Sequence, residues 1–301
     1  MDSLRKTPEI SWSTFLILLF GVVYVTAVVT VLAMYEQLES NALLLGVLLL
    51  TSLVLMTFAF GFSRLVKRTD IIDMMWGIVI VVLAIASFLA NPDGVGVGLN
   101  IQTVATLLVT IWGVRLVHHI IRRLLKSTED PRYKELRKKW RGNQAVNSYL
   151  RVFVVQAILA VIVVAAVICI NAADETIFGI WAWVGVGVWI VGFLCESIGD
   201  WQLKRFLERS SSKNSLMTDG LWRYSRHPNY FGEAVQWWGI FIIALSLPYG
   251  WMGIISPVVI TYLLLYVSGV PLAEKRAARK RGWKAYARRT SVFIPQLPRE
   301  N

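Results

Sequence analysis

The chain has 301 residues, 56% of them hydrophobic, with 13 Trp and a formal net charge of +12, and its mean hydropathy is +0.57. Soluble domains are about 45–50% apolar with short apolar runs, whereas this chain repeats runs of roughly 18 or more apolar residues, the length that spans hydrocarbon. A soluble globular enzyme is excluded, and so is a transmembrane β-barrel, because the alternating apolar-out pattern is missing.

Eight spans are predicted, at about 12–35, 42–63, 72–90, 100–121, 152–171, 177–203, 229–247 and 250–270. The fold class is therefore all-α, a polytopic transmembrane helical bundle forming a single integral membrane domain over 1–301. The run Trp12 to Tyr35 is too long for a signal-peptide core and has no small-residue cleavage site, so it is expected to be a retained span. The last two spans are joined only around Pro248-Tyr249-Gly250 and should form an antiparallel hairpin.

Lys and Arg fall almost wholly between alternate spans: 2 before the first, 3 in 64–68, 10 in 122–151, 6 in 204–226 and 9 in 275–299, together 30 of the 31. The other connectors carry Glu36, Glu39, Asp93, Asp174 and Glu175 instead. By the positive-inside rule both termini are cytoplasmic. The positive charge is thus a topology signal, and no nucleic-acid partner is expected. Within 122–151, the run EDPRYKELRKKWRG reads as a basic amphipathic segment at the membrane surface. Cys169 and Cys195 lie in apolar segments without metal-ligand spacing and read as packing residues.

An ionisable side chain at mid-membrane costs about 2.5–3.5 kcal/mol on insertion scales, so each marks a candidate site. In the fourth span Trp112, Arg115, His119 and Arg122 share one helix face. Glu196, Asp200 and Lys204 share a face of the sixth. Asp70 and Asp73 open the third, Glu233 lies in the seventh, and the eighth exits into Glu274-Lys275-Arg276. These faces are expected to converge on the cytoplasmic side.

The densest polar stretch runs from Asp219 to Gly239, DGLWRYSRHPNYFGEAVQWWG, between two apolar runs. Pro228 should start a helix near Asn229, whose free N–H groups favour an anion. Arg226 and His227 stand at that helix start, with Glu233 one turn inside. Arg and Lys suit phosphates, and the carboxylates of Glu196, Asp200 and Glu233 suit ribose hydroxyls or an amide. There is no P-loop, no Gly-rich fingerprint after a strand, and no His/Cys cluster for a metal. A dinucleotide or an adenosyl cofactor held by the bundle fits these residues, with an apolar second substrate entering from the bilayer.

GLWRYSRHPNYFGE followed by WWG resembles the C-terminal signature of the steroid 5-alpha-reductase-like membrane proteins. So do Asp73-x-x-Trp76-Gly77, WGVRLVHHIIRR, EDPRY, the Glu196/Asp200 helix end, and Ser268-Gly269-Val270-Pro271 through Tyr286, Thr290 and Pro295. The resemblance implies a core over 72–295, beyond N-terminal spans in 12–63, that holds NADPH and delivers hydride to a conjugated C=C bond of a lipid-like enone, sterol or isoprenoid. By the same resemblance Asp200, Lys204, Asn229 and Glu233 are cofactor contacts. Glu196 joins Asp200 at the ribose, Tyr230 joins Asn229 and Glu233 at the nicotinamide, and Arg226, His227 and Arg115 bind phosphates with Arg122 and Glu274 beside them. Proton-donor candidates are Tyr224, His119 and Asp73. Trp112 stands where the steroid enzymes place a carbonyl-polarising Tyr, and Glu196 where they carry Asn. The Arg-His-Pro-x-Tyr-x-Gly core also looks like that of the isoprenylcysteine carboxyl and phospholipid methyltransferases, which bind S-adenosylmethionine. A non-catalytic lipid-binding or transport protein would keep the topology without a cofactor. The membrane is expected to be the bacterial inner membrane or the endoplasmic reticulum.

Overall fold

The computed structural model describes residues 41–91, 100–174, 178–210 and 214–299, and the expected first span at 12–35 lies outside them. All the regular elements among the described residues are helical: α1 Asn41–Leu65, α2 Ile71–Leu89, α3 Ile101–Lys126, α4 Pro131–Lys138, α5 Gln144–Asn171 and α6 Ile180–Arg209, α7 Pro228–Ala244, α8 Gly250–Ala277 and α9 Trp283–Arg289. Six of these helices, α1, α2, α3, α5, α6 and α8, are long and apolar enough to cross a membrane. At 17 residues, α7 is about 25 Å long by the helical rise, shorter than the roughly 30 Å hydrocarbon layer.

Several helices outrun their predicted ends, for local reasons. α3 extends to Lys126 and α6 to Arg209, because long basic side chains at a helix end can reach water while their stems stay on apolar surface. α5 starts well before 152, at an Asn143 cap whose side chain accepts from the Ala145 and Val146 N–H groups at 2.9 and 3.3 Å. α7 begins at Pro228, where the missing N–H costs nothing. The turn into α8 closes through Leu247 N–H on the Ala244 carbonyl at 2.9 Å. At Gly250 a side chain would run into that same Ala244 carbonyl, so the turn requires glycine.

The chain divides into two compact units, Met1–Gly98 with Gln102–Val164, and Leu99–Ile101 with Ala165–Asn301. In the first, Leu48, Leu55, Met56, Ile72, Ile80 and Leu83 are fully buried. There α2 and α3 approach at a glycine pair: a methyl on Gly113 would lie 3.2 Å from the Gly77 carbonyl. Ser52 Oγ donates to the Ala157 carbonyl at 2.8 Å, which keeps a buried hydroxyl satisfied between helices.

The second unit is built on the α6–α7 pair. The buried residues of α6 are Ala182, Gly185, Trp189, Gly192, Glu196 and Gly199, alternating steps of three and four that make one narrow seam. Gly232 and Gly239 answer from α7. A methyl on Gly185 would lie 2.6 Å from the Gly239 carbonyl, and one on Gly192 would lie 2.7 Å from the Gly232 carbonyl. Backbone contact this close is how helices gain packing energy where lipid gives no hydrophobic drive.

Candidate functional site

Because the seam holds α6 and α7 backbone to backbone, short polar side chains bridge it. Asn229 Nδ2 donates to Asp200 Oδ1 at 3.0 Å, and Gln236 Nε2 donates to Glu196 Oε2 at 2.6 Å. Each carboxylate fixes which way its amide points, since the flipped rotamer would set oxygen against oxygen. The amide oxygens therefore face away from their carboxylates. Among the described residues, Asn229 Oδ1 and Gln236 Oε1 are buried acceptors without a hydrogen-bond partner. A buried polar atom left unpaired costs about 1–3 kcal/mol, so these two acceptors, two helical turns apart on α7, could take donors from a ligand. Glu233 lies one turn from Asn229 and is half-buried, as is Asp200, while Lys204 is exposed one turn further along α6, 4.0 Å from Glu208.

Arg226 has a different use from the phosphate contact that the resemblance implies. Its guanidinium is buried and bidentate on Glu274, Nε to Oε1 at 3.0 Å and Nη2 to Oε2 at 2.8 Å. Nη1 donates to the Ala287 and Thr290 carbonyls at 2.6 and 3.1 Å, and the guanidinium lies 5.3 Å over the Trp283 ring. His227 closes the same cluster, with Nε2 2.8 Å from Glu274 Oε1 and its ring stacked on Tyr230 at 5.5 Å. Arg226, His227 and Glu274 thus form a latch between the Arg-His-Pro stretch and the C-terminal segment. Tyr286 strengthens it by donating to the Trp222 carbonyl at 2.6 Å, Ser225 Oγ by donating to the Phe293 carbonyl at 2.7 Å, and Trp222 Nε1 by donating to the Gly199 carbonyl of α6 at 3.1 Å. Burial first, then Glu274, holds the Tyr286 hydroxyl above its ordinary pKa despite Arg226, so it stays a donor. Tyr224 is 38% exposed.

Asp73, Arg115, His119 and Arg122 belong to the first unit. Asp73 accepts from Arg123 Nη2 at 2.6 Å, Arg132 Nη2 at 2.9 Å and the Tyr133 hydroxyl at 2.5 Å, so both of its oxygens act as acceptors. Arg123, not the exposed Arg122, is the partner from α3. Asp70 takes Arg68 bidentately at 3.0 and 2.8 Å, and Arg68 also donates to the Leu124 and Ser127 carbonyls at the end of α3. Glu129 accepts the Thr69 N–H at 2.8 Å and a bidentate Arg137. Arg115 and His119 are half-buried on α3.

The EDPRY run is therefore folded into an ion-pair network with Asp70 and Asp73 at the start of α2. Burial, then the Asp73 charge, pushes the Tyr133 hydroxyl well above its usual pKa. Burial pulls the Arg132 guanidinium down, and Asp73, Tyr133 and Asp130 outweigh it and hold it above its ordinary value. Burial pushes the Glu129 carboxyl up, and Arg137 with Thr69 more than reverses this, leaving it below the usual carboxylate value. Gln236 and the role of Tyr133 were missed from the sequence, and Glu274, though named, was not paired with Arg226. Gln236 alone had a readable signal, the i, i+4, i+7 spacing from Asn229 through Glu233.

The helices and their buried polar rungs define a polytopic helical membrane protein. Residues 59–290 match the family model described as "Protein of unknown function (DUF1295)", and the chain belongs to that family. It is 23% identical over 291 residues to the "Uncharacterized protein C594.04c" of Schizosaccharomyces pombe, covering 86% of this chain and 81% of that one. No solved structure matches it.

Proposed function

We propose that this protein is a membrane-embedded reductase of the steroid 5-alpha-reductase-like kind, which uses NADPH to reduce a conjugated C=C bond in a lipid-like substrate. One observation carries the reading: Asn229 is held by Asp200 with its Oδ1 buried and unpartnered. Such an acceptor suits the N–H groups of a nicotinamide carboxamide. The second free acceptor, Gln236 Oε1, and the Asp200 and Glu196 carboxylates suit further donors, ribose hydroxyls among them. The acceptor set fits the cofactor's amide and ribose donors, and the hydride is the chemistry NADPH supplies when bound.

Asn229 would orient the amide, Glu233 and Tyr230 flank it, and Asp200 would hold Asn229 in its one useful rotamer. Lys204, exposed on α6, is the basic residue of this unit best able to take a phosphate, since Arg226 is committed to Glu274. The seam buries the Gln236–Glu196 rung, which raises its electrostatic weight. Tyr224 is the favoured proton donor, because Asp73 already accepts three hydrogen bonds. The lipid-like substrate would enter from the bilayer.

The test is a thermal-shift titration of the purified full chain with NADPH and with S-adenosylmethionine. NADPH is expected to stabilise it, and Asn229→Ala to abolish the shift while keeping the unliganded melting point within a few degrees. Stabilisation by S-adenosylmethionine alone would transfer the site to a methyltransferase. Stabilisation by neither would favour a lipid-binding or transport protein and overturn the proposal.

A further inference from the structure

A cavity of about 390 Å³ opens along the C-terminal segment of the second unit, walled by Arg226, Arg288, Thr290, Ser291, Gln296 and Arg299 among others. Among the described residues that line it, none is Asp or Glu. Arg226 is neutralised by Glu274, so the cavity keeps the two charges of Arg288 and Arg299. Several carbonyls of this segment are already engaged. Those of Ala287 and Thr290 accept from the Arg226 guanidinium, that of Ser291 from the Arg226 N–H, and that of Arg289 from the Arg299 N–H. What remains at the hollow is the Ser291 hydroxyl, the Gln296 amide and the guanidiniums of Arg288 and Arg299, the Thr290 hydroxyl being spent on the Arg223 carbonyl at 3.3 Å, and that set suits a phosphate.

The rim says where that phosphate resides. Val292 and Ile294, which also line the cavity, are 39% and 59% exposed, and the neighbouring Leu297 is 82% exposed. Apolar side chains beside a basic hollow would be left in water by a free phosphate ion. In a lipid interface they meet acyl chains while the arginines meet the headgroup.

We propose that this cavity binds the phosphate of an anionic phospholipid, with Arg288 and Arg299 on the headgroup and Ile294 and Leu297 in the acyl region. The site shares no binding group with the Asn229–Asp200 pair and does not depend on the reductase reading. The experiment reconstitutes the full chain in phosphatidylcholine nanodiscs containing phosphatidylglycerol and counts retained lipids by native mass spectrometry. The wild type is expected to retain one phosphatidylglycerol that R288Q/R299Q holds about 30-fold more weakly, as two interfacial arginines imply. Both positions are exposed, so the variant should fold, and R288K/R299K should retain the lipid within a few-fold. Equal retention by the wild type and R288Q/R299Q would overturn the site. Displacement of the lipid by soluble glycerol phosphate would overturn its lipid source and assign the cavity to a water-soluble phosphate ester.

Discussion

Replacing Gly192 by Ala tests whether the α6–α7 seam sets the geometry of the candidate site. The new methyl would sit 2.7 Å from both the Gly232 carbonyl and the Gln236 nitrogen, where ordinary contact begins at 3.4 Å. Backbone cannot swing aside as a side chain can, so the helices must part by about 0.7 Å, the difference between those distances. A gap of that size takes the Asn229–Asp200 bond from 3.0 Å to about 3.7 Å, beyond hydrogen-bond range. The Gln236–Glu196 bond, at 2.6 Å, would lengthen to about 3.3 Å, the edge of that range. Overpacking costs about 1–3 kcal/mol, against a helix-propensity gain of about 0.5–1 kcal/mol from removing glycine. The net expectation is a loss of about 1–2 kcal/mol. Gly187, on the same helix with nothing within 4 Å of a built methyl, is the matched control and should gain stability. Melting both variants in one detergent, beside the wild type, separates the two effects. If Gly192→Ala melts with or above Gly187→Ala, the seam is looser than argued and the rungs do not depend on it.

The C-terminal latch makes its own prediction. Glu274→Gln leaves Arg226 buried without its carboxylate, which costs about 3–5 kcal/mol for a broken buried pair, and limited proteolysis should then cleave within 283–299 much faster than in wild type. Arg226→Lys should not rescue the latch, because an ammonium cannot keep the bidentate contact and both carbonyls together. Asp73→Asn should release Arg123, Arg132 and Tyr133 and raise hydrogen exchange across 127–143, with α6 and α7 unchanged. The same connector should loosen in acid. Glu129 has a folded-state pKa below its ordinary value, so its contribution is complete above about pH 4.3 and fades as pH falls through the depressed value. Exchange in 127–143 that is flat down to pH 3, or an acid response that survives Glu129→Gln, would refute this.

The helical architecture was legible because hydrocarbon leaves little choice: a backbone crossing lipid must satisfy its own N–H and C=O groups, and apolar run length reports that directly. The α7 start at Pro228 was legible for an equally local reason. Asp200 and Asn229 were each singled out from the sequence, Asp200 by helix-face spacing on α6 and Asn229 by the motif on α7, but not as partners of one another, which the structure makes them. What sequence could not supply was the identity of each cation's partner. Arg226 and Glu274 are 48 residues apart, and Asp73 and Tyr133 are 60 apart, so no periodicity connects them. Arg122 was chosen over Arg123 because it continues the Arg115 face. Arg123, which was not named, is the residue that donates to Asp73 in the first turn of α2.

These partners change which residues can carry chemistry. Arginines dense in a motif invite a phosphate reading, yet a guanidinium with four of its N–H bonds placed on a carboxylate and two carbonyls has little left for a ligand. Arg226 falls in that class, while Arg132 divides two N–H bonds between the carboxylates of Asp130 and Asp73; each is held beside a tyrosine whose pKa is raised and which therefore stays protonated. The two ion-pair clusters are thus self-neutralised fastenings that fix the basic connectors to helix ends. The Asn229–Asp200 and Gln236–Glu196 rungs are not: each ends in a buried acceptor without a hydrogen-bond partner among the described residues. On the proposed reading a ligand would bring donors to the rungs, and any negative charge it carries would be met by cations outside the latch. Lys204 satisfies that condition within the second unit, so Lys204→Ala should weaken NADPH by roughly tenfold, the share of one charge-assisted contact, whereas the same loss for S-adenosylmethionine, which carries no phosphate, is not expected. Equal weakening of both ligands, measured by the same thermal-shift titration, would remove Lys204 from the phosphate and leave the rungs as the whole of the site.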